Sequence, residues 1–188
     1  MVEIIPYQPS WPEEFQAIAL VLRRELGETA VRIDHIGSTS VPTLAAKDII
    51  DIQITVSCFD ERITAVMLAL GYVIPEGLWR DHRPPTITGP DTEWEKLFFR
   101  HPPTQRPTNT HVRLAGHANQ RFALLFRDYL RTHPATIAAY AELKRRLAAH
   151  LADPARYPEV KDPAVDLIYF AAEAWAEAVG WQPGPSDA

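Results

Sequence analysis

Two strand-like runs joined through a Gly-Ser turn constrain this chain more than any other feature. In the segment HIGSTSVPTLAAKDIIDIQI, residues 35–54, an apolar run ends at Gly37 and a second begins near Asp48. Asp48 to Val56 reads as the second strand, with Ile50, Ile52, Ile54 and Val56 on one face and Asp51, Gln53 and Thr55 on the other. A period of two is the mark of a strand with one buried face. Asp51 lies 14 residues after Gly37, which allows a short connection and a return strand, so the two strand ends are expected side by side.

The flanking pattern completes an α/β (α+β) reading. Ser10 followed by Glu13 has the form of a capping box, and Phe15, Ile18, Leu22 and Leu26 recur at helical spacing before Gly27. Val31–Ile36 reads as a strand, Asp60 as the cap of a helix to about Leu70, and Tyr72–Ile74 as a short strand. Residues 77–93, rich in Pro, Gly and charge, read as a long irregular loop long enough to be a lid. Lys96–Arg100 and Asn109–Leu114 are two further strands. Three helices follow: one from Ala118 to about Arg131, one from Pro134 to about Leu151, and one from Asp162 as N-cap with Pro163 at N1 to Gly180. The tail WQPGPSDA is expected to fray. The expectation is a single domain over 1–188, with a sheet core and N-terminal helix in 1–116 and a helical segment in 117–181.

Composition narrows the class. The 188 residues are 46% hydrophobic and 23% charged, enough for a core without staples. Cys58 is the only cysteine, which excludes an intramolecular disulfide; it reads as a small buried filler in a reducing compartment. With no signal-like N-terminus and no apolar run near the roughly 20 residues of a membrane span, a cytoplasmic location is expected. The net charge of −5 argues against a broad nucleic-acid surface, but residues 121–161 hold eight Lys/Arg against four acids, so that stretch is +4 and the remainder −9. The basic stretch reads either as a solvated helix face or as a face for a phosphate-bearing ligand.

The turn Gly37-Ser38-Thr39-Ser40 can gather backbone N–H groups and hydroxyls into a phosphate nest, though Gly and Ser are also ordinary turn residues. Asp51, set among isoleucines, needs a partner, a solvated cleft or a cation; a magnesium ion between this carboxylate and a nucleotide is one solution. His35 beside the turn reads as structural, Lys47 as either an anion contact or solvated, and His111 as part of a cleft wall with Asn109 and Arg113. His101, His111 and His117 have no zinc-ligand spacing, so a structural zinc site is rejected. Arg127 either binds phosphate or docks its helix, and no nucleophile–base pair is visible. Tyr129, Tyr140, Tyr157 and Trp175 read as packing residues.

The segment DHIGSTSVPTLAAKDIIDI resembles the signature of the GrpB family, as do Trp11-Pro12, Asn109-Thr110-His111-Val112, FRDYLRTHP at 126–134, Tyr140–Lys144, and Tyr157 with Lys161. The resemblance covers most of the chain. It implies a polymerase-beta-like nucleotidyltransferase fold, in which a hydrophobic-Gly-Ser turn is followed by Asp-hydrophobic-acid-hydrophobic. Ile36-Gly37-Ser38 and Asp51-Ile52-Gln53-Ile54 lie on that pattern, with Gln53 where a second carboxylate belongs. The implied activity is nucleotide or phosphometabolite binding, with magnesium-dependent nucleotidyl transfer to an unspecified acceptor as its catalytic form. In it Gly37, Ser38, Thr39 and Ser40 hold phosphates, Asp51 holds the metal, Gln53 and His111 orient the ligand, and Lys47, Arg127, Lys144 and Lys161 neutralise charge. The alternative is a non-catalytic ligand-sensing or partner-support module, since similar domains occur fused to dephospho-coenzyme A kinases.

Overall fold

The computed structural model describes residues 2–188. Four strands, β1 (Arg32–Ile36), β2 (Ile50–Val56), β3 (Leu97–Arg100) and β4 (Thr108–Leu114), form one mixed sheet in the order β1-β2-β4-β3. β1 runs antiparallel to β2, β2 parallel to β4, and β3 antiparallel to β4. Helices α1 (Trp11–Leu26) and α2 (Glu61–Ala69) cover the isoleucine face: Trp11, Phe15, Leu22, Ile63 and Met67 bury against Ile33, Ile50, Ile52, Ile54 and Val112. The other face carries Asp51, Gln53 and Thr55 and meets α3 (Ala118–Thr132). With α4 (Pro134–His150) and α5 (Tyr157–Val179), α3 builds a second core on Val41, Leu44 and Ala45, the connection between the Gly-Ser turn and β2. Among the described residues no helix is long and apolar enough to cross a membrane.

Local physics accounts for the departures from expectation. Ser10 is already helical, so its hydroxyl bonds the Glu14 carboxylate at 2.8 Å and no capping box forms. Asp48 stays outside β2, accepting from Trp11 Nε1 at 2.8 Å and pairing with Arg106. The strand expected at Tyr72–Ile74 shrinks to one bridge between Val73 and Arg100. Cys58 is exposed, not a buried filler. The last helix begins at Tyr157, five residues before the expected cap, and takes Pro163 into its interior. A proline there removes the hydrogen bond to the Glu159 carbonyl, a loss offset by burial of Tyr157. The early start also places Lys161 on the helix.

The tail does not fray. Ala188 N–H donates to the Ile33 carbonyl at 3.1 Å, Ser186 Oγ accepts from Ile33 N–H at 2.9 Å, and Asp187 accepts from His35 N–H at 2.9 Å. The segment therefore lies along the free edge of β1, where unpaired backbone groups need partners. Asp187 also accepts from Arg127 Nη1 at 2.8 Å. Asp187→Ala is expected to cost about 1–3 kcal/mol in denaturant unfolding, because it leaves the buried Arg127 guanidinium short of an acceptor.

One close approach fixes the register at the carboxylate end. Ile36 pairs with Asp51, and the next residue, Gly37, has φ +68°. A Cβ on Gly37 would stand 2.9 Å from Asp51 Cβ and Cγ, and closer still to Oδ2. Both the left-handed backbone and the clash demand glycine. Gly37→Ala is expected to lower unfolding stability by about 2–4 kcal/mol, combining roughly 1–3 kcal/mol of backbone strain with displacement of Asp51.

Candidate functional site

The site lies where the turn after β1, the start of β2 and helices α4 and α5 converge. β1 hands the chain to Gly37, and a single turn of 3-10 helix, Ser38–Ser40, follows. Ser40 Oγ donates back to the Gly37 carbonyl at 2.6 Å, and Thr39 Oγ1 bonds His35 Nε2 at 3.0 Å. Those two hydroxyls hold the turn itself. Ser38 Oγ is left facing the helices and accepts from Lys144 Nζ at 2.9 Å.

Asp51 projects from β2 beside this turn. Its Oδ1 accepts from Asn109 Nδ2 at 2.9 Å, as the β2–β4 register places Asn109 directly opposite. Burial pushes the Asp51 carboxyl up; the Asn109 hydrogen bond and the charges of Lys161, Arg113 and Lys47 pull it part of the way back. Lys47 Nζ lies 4.2 Å from the centre of the Tyr157 ring and Lys144 Nζ 4.6 Å from that of Tyr140. Burial first, then the like charge of Lys161, lowers the Lys144 ammonium to about 7, with Arg145 adding to the effect and Asp51 opposing it. Lys47 is lowered by burial and Lys161, while Lys161 is held up by Tyr140 first, then Tyr157, Asp51 and Asp162, against its own burial. Among the described residues none of Lys47, Lys144 and Lys161 forms an ion pair within 4.0 Å. Three cations converge here, and the carboxylates acting on them, Asp51 and Asp162, form no ion pair with any of them.

The neighbouring stretch of the same sheet face is neutralised from within. Gln53 is fully buried; its Oε1 accepts from Arg113 Nη1 at 2.6 Å and its Nε2 donates to the Gln120 carbonyl at 3.2 Å. Arg113 Nε and Nη2 donate to Asp81 at 2.8 and 3.0 Å, Lys96 Nζ donates to Asp81 at 2.6 Å, and Asn119 donates to it at 3.0 Å. Burial pushes the Asp81 carboxyl up, but Arg113 and Lys96 outweigh it and hold the group well below the ordinary carboxylate range. Burial, then Lys96 and Arg113, keeps His111 well below the imidazole range, so it is neutral, with Nδ1 3.3 Å from both cations.

The structure therefore brings together Gly37, Ser38, Lys47, Asp51, Lys144 and Lys161 and leaves other expected residues elsewhere. Gln53 is held by Arg113 and the Gln120 carbonyl, and His111 contacts Lys96 and Arg113 through Nδ1. Thr39 and Ser40 are buried and turned to the scaffold. Arg127 docks α3 on β1, donating to Asp128 at 2.7 Å, Asp187 at 2.8 Å and the His35 carbonyl at 3.1 Å. His35 is stacked on Phe15 and lowered to about 3 by burial, then by Arg131 and Arg127. Asp81 is the residue that sequence reasoning did not assign, while Asn109, read as part of the cleft wall with His111 and Arg113, stands directly opposite Asp51. Asp81 sits in an irregular loop, where spacing says nothing about direction.

A pair of divalent cations does not fit this donor set. Two-metal transfer needs two or three carboxylates around one point. Here Asp51 supplies one, Gln53 two positions on is neutral and hydrogen-bonded to Arg113 and the Gln120 carbonyl, and the β4 residues opposite Asp51 and Gln53 are Asn109 and His111. Among the described residues no cluster of three His, Cys, Asp or Glu side chains is placed to hold a metal.

Comparison with known proteins agrees with the geometry. The family model described as GrpB protein matches residues 1–170. The chain is 36% identical over 197 residues to a protein of Mycolicibacterium paratuberculosis named dephospho-CoA kinase, covering 97% of this chain and 48% of that one. A protein of the same name in Mycobacterium leprae is 36% identical over 200 residues, covering 95% and 48%. The chain thus spans about half the length of these curated relatives. Among solved structures, the conserved protein GrpB from Enterococcus faecalis superposes with a TM-score of 0.74 at 31% identity, covering 92% of this chain and 99% of that one. Cid1 in complex with its short product ApU superposes at 0.51 with 11% identity, covering 77% and 43%, a likeness of fold alone. The sheet order, the Gly-Ser turn beside Asp51 and the match across most of its length lead to one conclusion: this chain belongs to the GrpB family and carries a nucleotidyltransferase-like fold.

Proposed function

We propose that the cleft binds the phosphate of a nucleotide or other phosphometabolite, held by Lys47, Lys144 and Lys161 and by the backbone and hydroxyl of the Gly37–Ser38 turn. The observation that carries this reading is the convergence of these lysines, drawn from the β2 approach, α4 and α5, without an ion-pair partner for any of them. Unpaired, partly buried ammonium groups are expensive, and an incoming anion relieves that cost. Because the lysines come from both the sheet core and the helical segment, residues 1–188 work as one unit in this account. Magnesium enters only on the ligand's own phosphates, with Asp51 offering it a single carboxylate.

Non-catalytic binding is favoured over nucleotidyl transfer by the state of Gln53 and Arg113, whose hydrogen bonds are already made. A role beside a coenzyme A biosynthetic enzyme is suggested by relatives named dephospho-CoA kinase, of which this segment is about half. Adenosine triphosphate, dephospho-coenzyme A and inorganic phosphate are therefore the ligands to compare.

A ligand that binds only the folded chain raises its melting temperature by mass action. Lys161→Met is expected to weaken phosphate-ligand binding about tenfold or more, read by calorimetry. Asp51→Asn separates the two chemistries by sign: without magnesium it should strengthen binding by removing the one carboxylate, whereas a site that requires a metal would lose affinity. An anion beside Lys144 raises an ammonium now near 7, so binding at pH 8 should take up a proton. Affinity should accordingly fall as pH rises above 7. Calorimetry at pH 8 in two buffers of different ionisation enthalpy measures the uptake, and a zero value would remove Lys144 from the site.

A further inference from the structure

The sequence shows no nucleophile next to a base, but the fold makes such a pair from residues 106 positions apart. Ser38 stands directly after the left-handed Gly37, where a strand turns sharply into a helical turn, and it is half-exposed. Lys144 lies behind it, 3% exposed, with Nζ 2.9 Å from Ser38 Oγ. An accessible hydroxyl backed by a buried amine is the arrangement of a serine nucleophile with a lysine base. We propose that Ser38 and Lys144 form a nucleophile–base pair that accepts an acyl group from an ester or thioester.

The pair requires a neutral amine, and the surroundings supply one. Lys144 faces Lys161 from α5, Asp51 from β2, and Tyr140 and Arg145 from its own helix, and burial with the Lys161 charge brings it to about 7. In the step, Ser38 Oγ bonds the carbonyl carbon as Lys144 Nζ takes the hydroxyl proton. The carbonyl π pair moves onto oxygen, which lies within reach of the turn. Among the described residues neither Ser38 N–H nor Thr39 N–H has a protein acceptor, so both are free to donate to it. Collapse breaks the bond to the alcohol or thiol, which leaves with the proton from Lys144. Water repeats the sequence on the acyl-serine, releasing the acid and restoring both residues. A carbonyl suits the site better than a phosphoryl group, because phosphate charge beside Lys144 would reprotonate the base. The activity therefore goes beyond anion binding, and phosphate should oppose it.

The test treats the whole chain with p-nitrophenyl acetate and follows nitrophenol release and the acetylated peptide. The expected result is acetyl on Ser38, with a rate rising through a midpoint near pH 7. Ser38→Ala should abolish that label. Lys144→Arg, which keeps a cation beside Ser38 and cannot act as a base, should slow acylation about 100-fold or more in protein that retains its cooperative melting transition. Lys161→Met, by removing a like charge, should move the midpoint to higher pH, a shift that packing alone would not produce. Acetyl elsewhere than Ser38, an undiminished rate in Lys144→Arg, or an unmoved midpoint in Lys161→Met would overturn the proposal. Acylation without phosphate binding would sink the anion reading and leave this one standing; phosphate binding without acylation would do the reverse.

Discussion

The contact between Asp51 and Gly37 is the constraint on which the site depends. A side chain at position 37 would collide with the carboxylate, so the turn passes close over β2 and delivers Ser38 to the helices. The same pairing register that sets Ile36 against Asp51 sets Asp51 against Asn109 on the next strand. A one-residue slip would send Asp51 into the isoleucine core and Ile52 to the polar face. The apolar face of β2 thus fixes the chemistry of the opposite face, because the core of Trp11, Phe15, Ile50, Ile52 and Ile54 admits one register only.

Across that polar face the charge divides into two regions with opposite fates. At one end Lys96 and Arg113 share the Asp81 carboxylate, and Arg113 also donates to Gln53. At the other end Lys47, Lys144 and Lys161 share one half-buried carboxylate. The Gly-Ser turn and one carboxylate, Asp51, stand together, while the rest of the polar face is occupied by an internal ion-pair network. The physical consequence is a site suited to receiving negative charge and poorly suited to holding two cations.

The isoleucine alternation, the helical spacing before Gly27 and the cap at Asp60 made the sheet face, α1 and α2 legible in the sequence, because each is set by neighbours within a few residues. The Gly37, Ser38 and Asp51 cluster was legible for the same reason. What lay beyond reach depended on distant partners. Tyr157, at the start of α5, is buried with Lys47 of the distant β2 approach over its ring, and the tail is ordered by the edge of β1. Asp81 neutralises Arg113 across 32 positions, through a loop whose composition suggested a lid. Arg127 was open to either reading, and its hydrogen bonds tie α3 to β1 and the tail.

The account turns on whether the unpaired lysines receive a tetrahedral anion, and a crystal soaked in tungstate measures that most directly. The account places an anomalous peak within hydrogen-bond reach of Lys144 Nζ, Lys161 Nζ and the Ser38 hydroxyl, with the Asp81 network unchanged. A peak that avoids these groups and settles on exposed arginines, or on Lys96 and Arg113 after displacing Asp81, would contradict it.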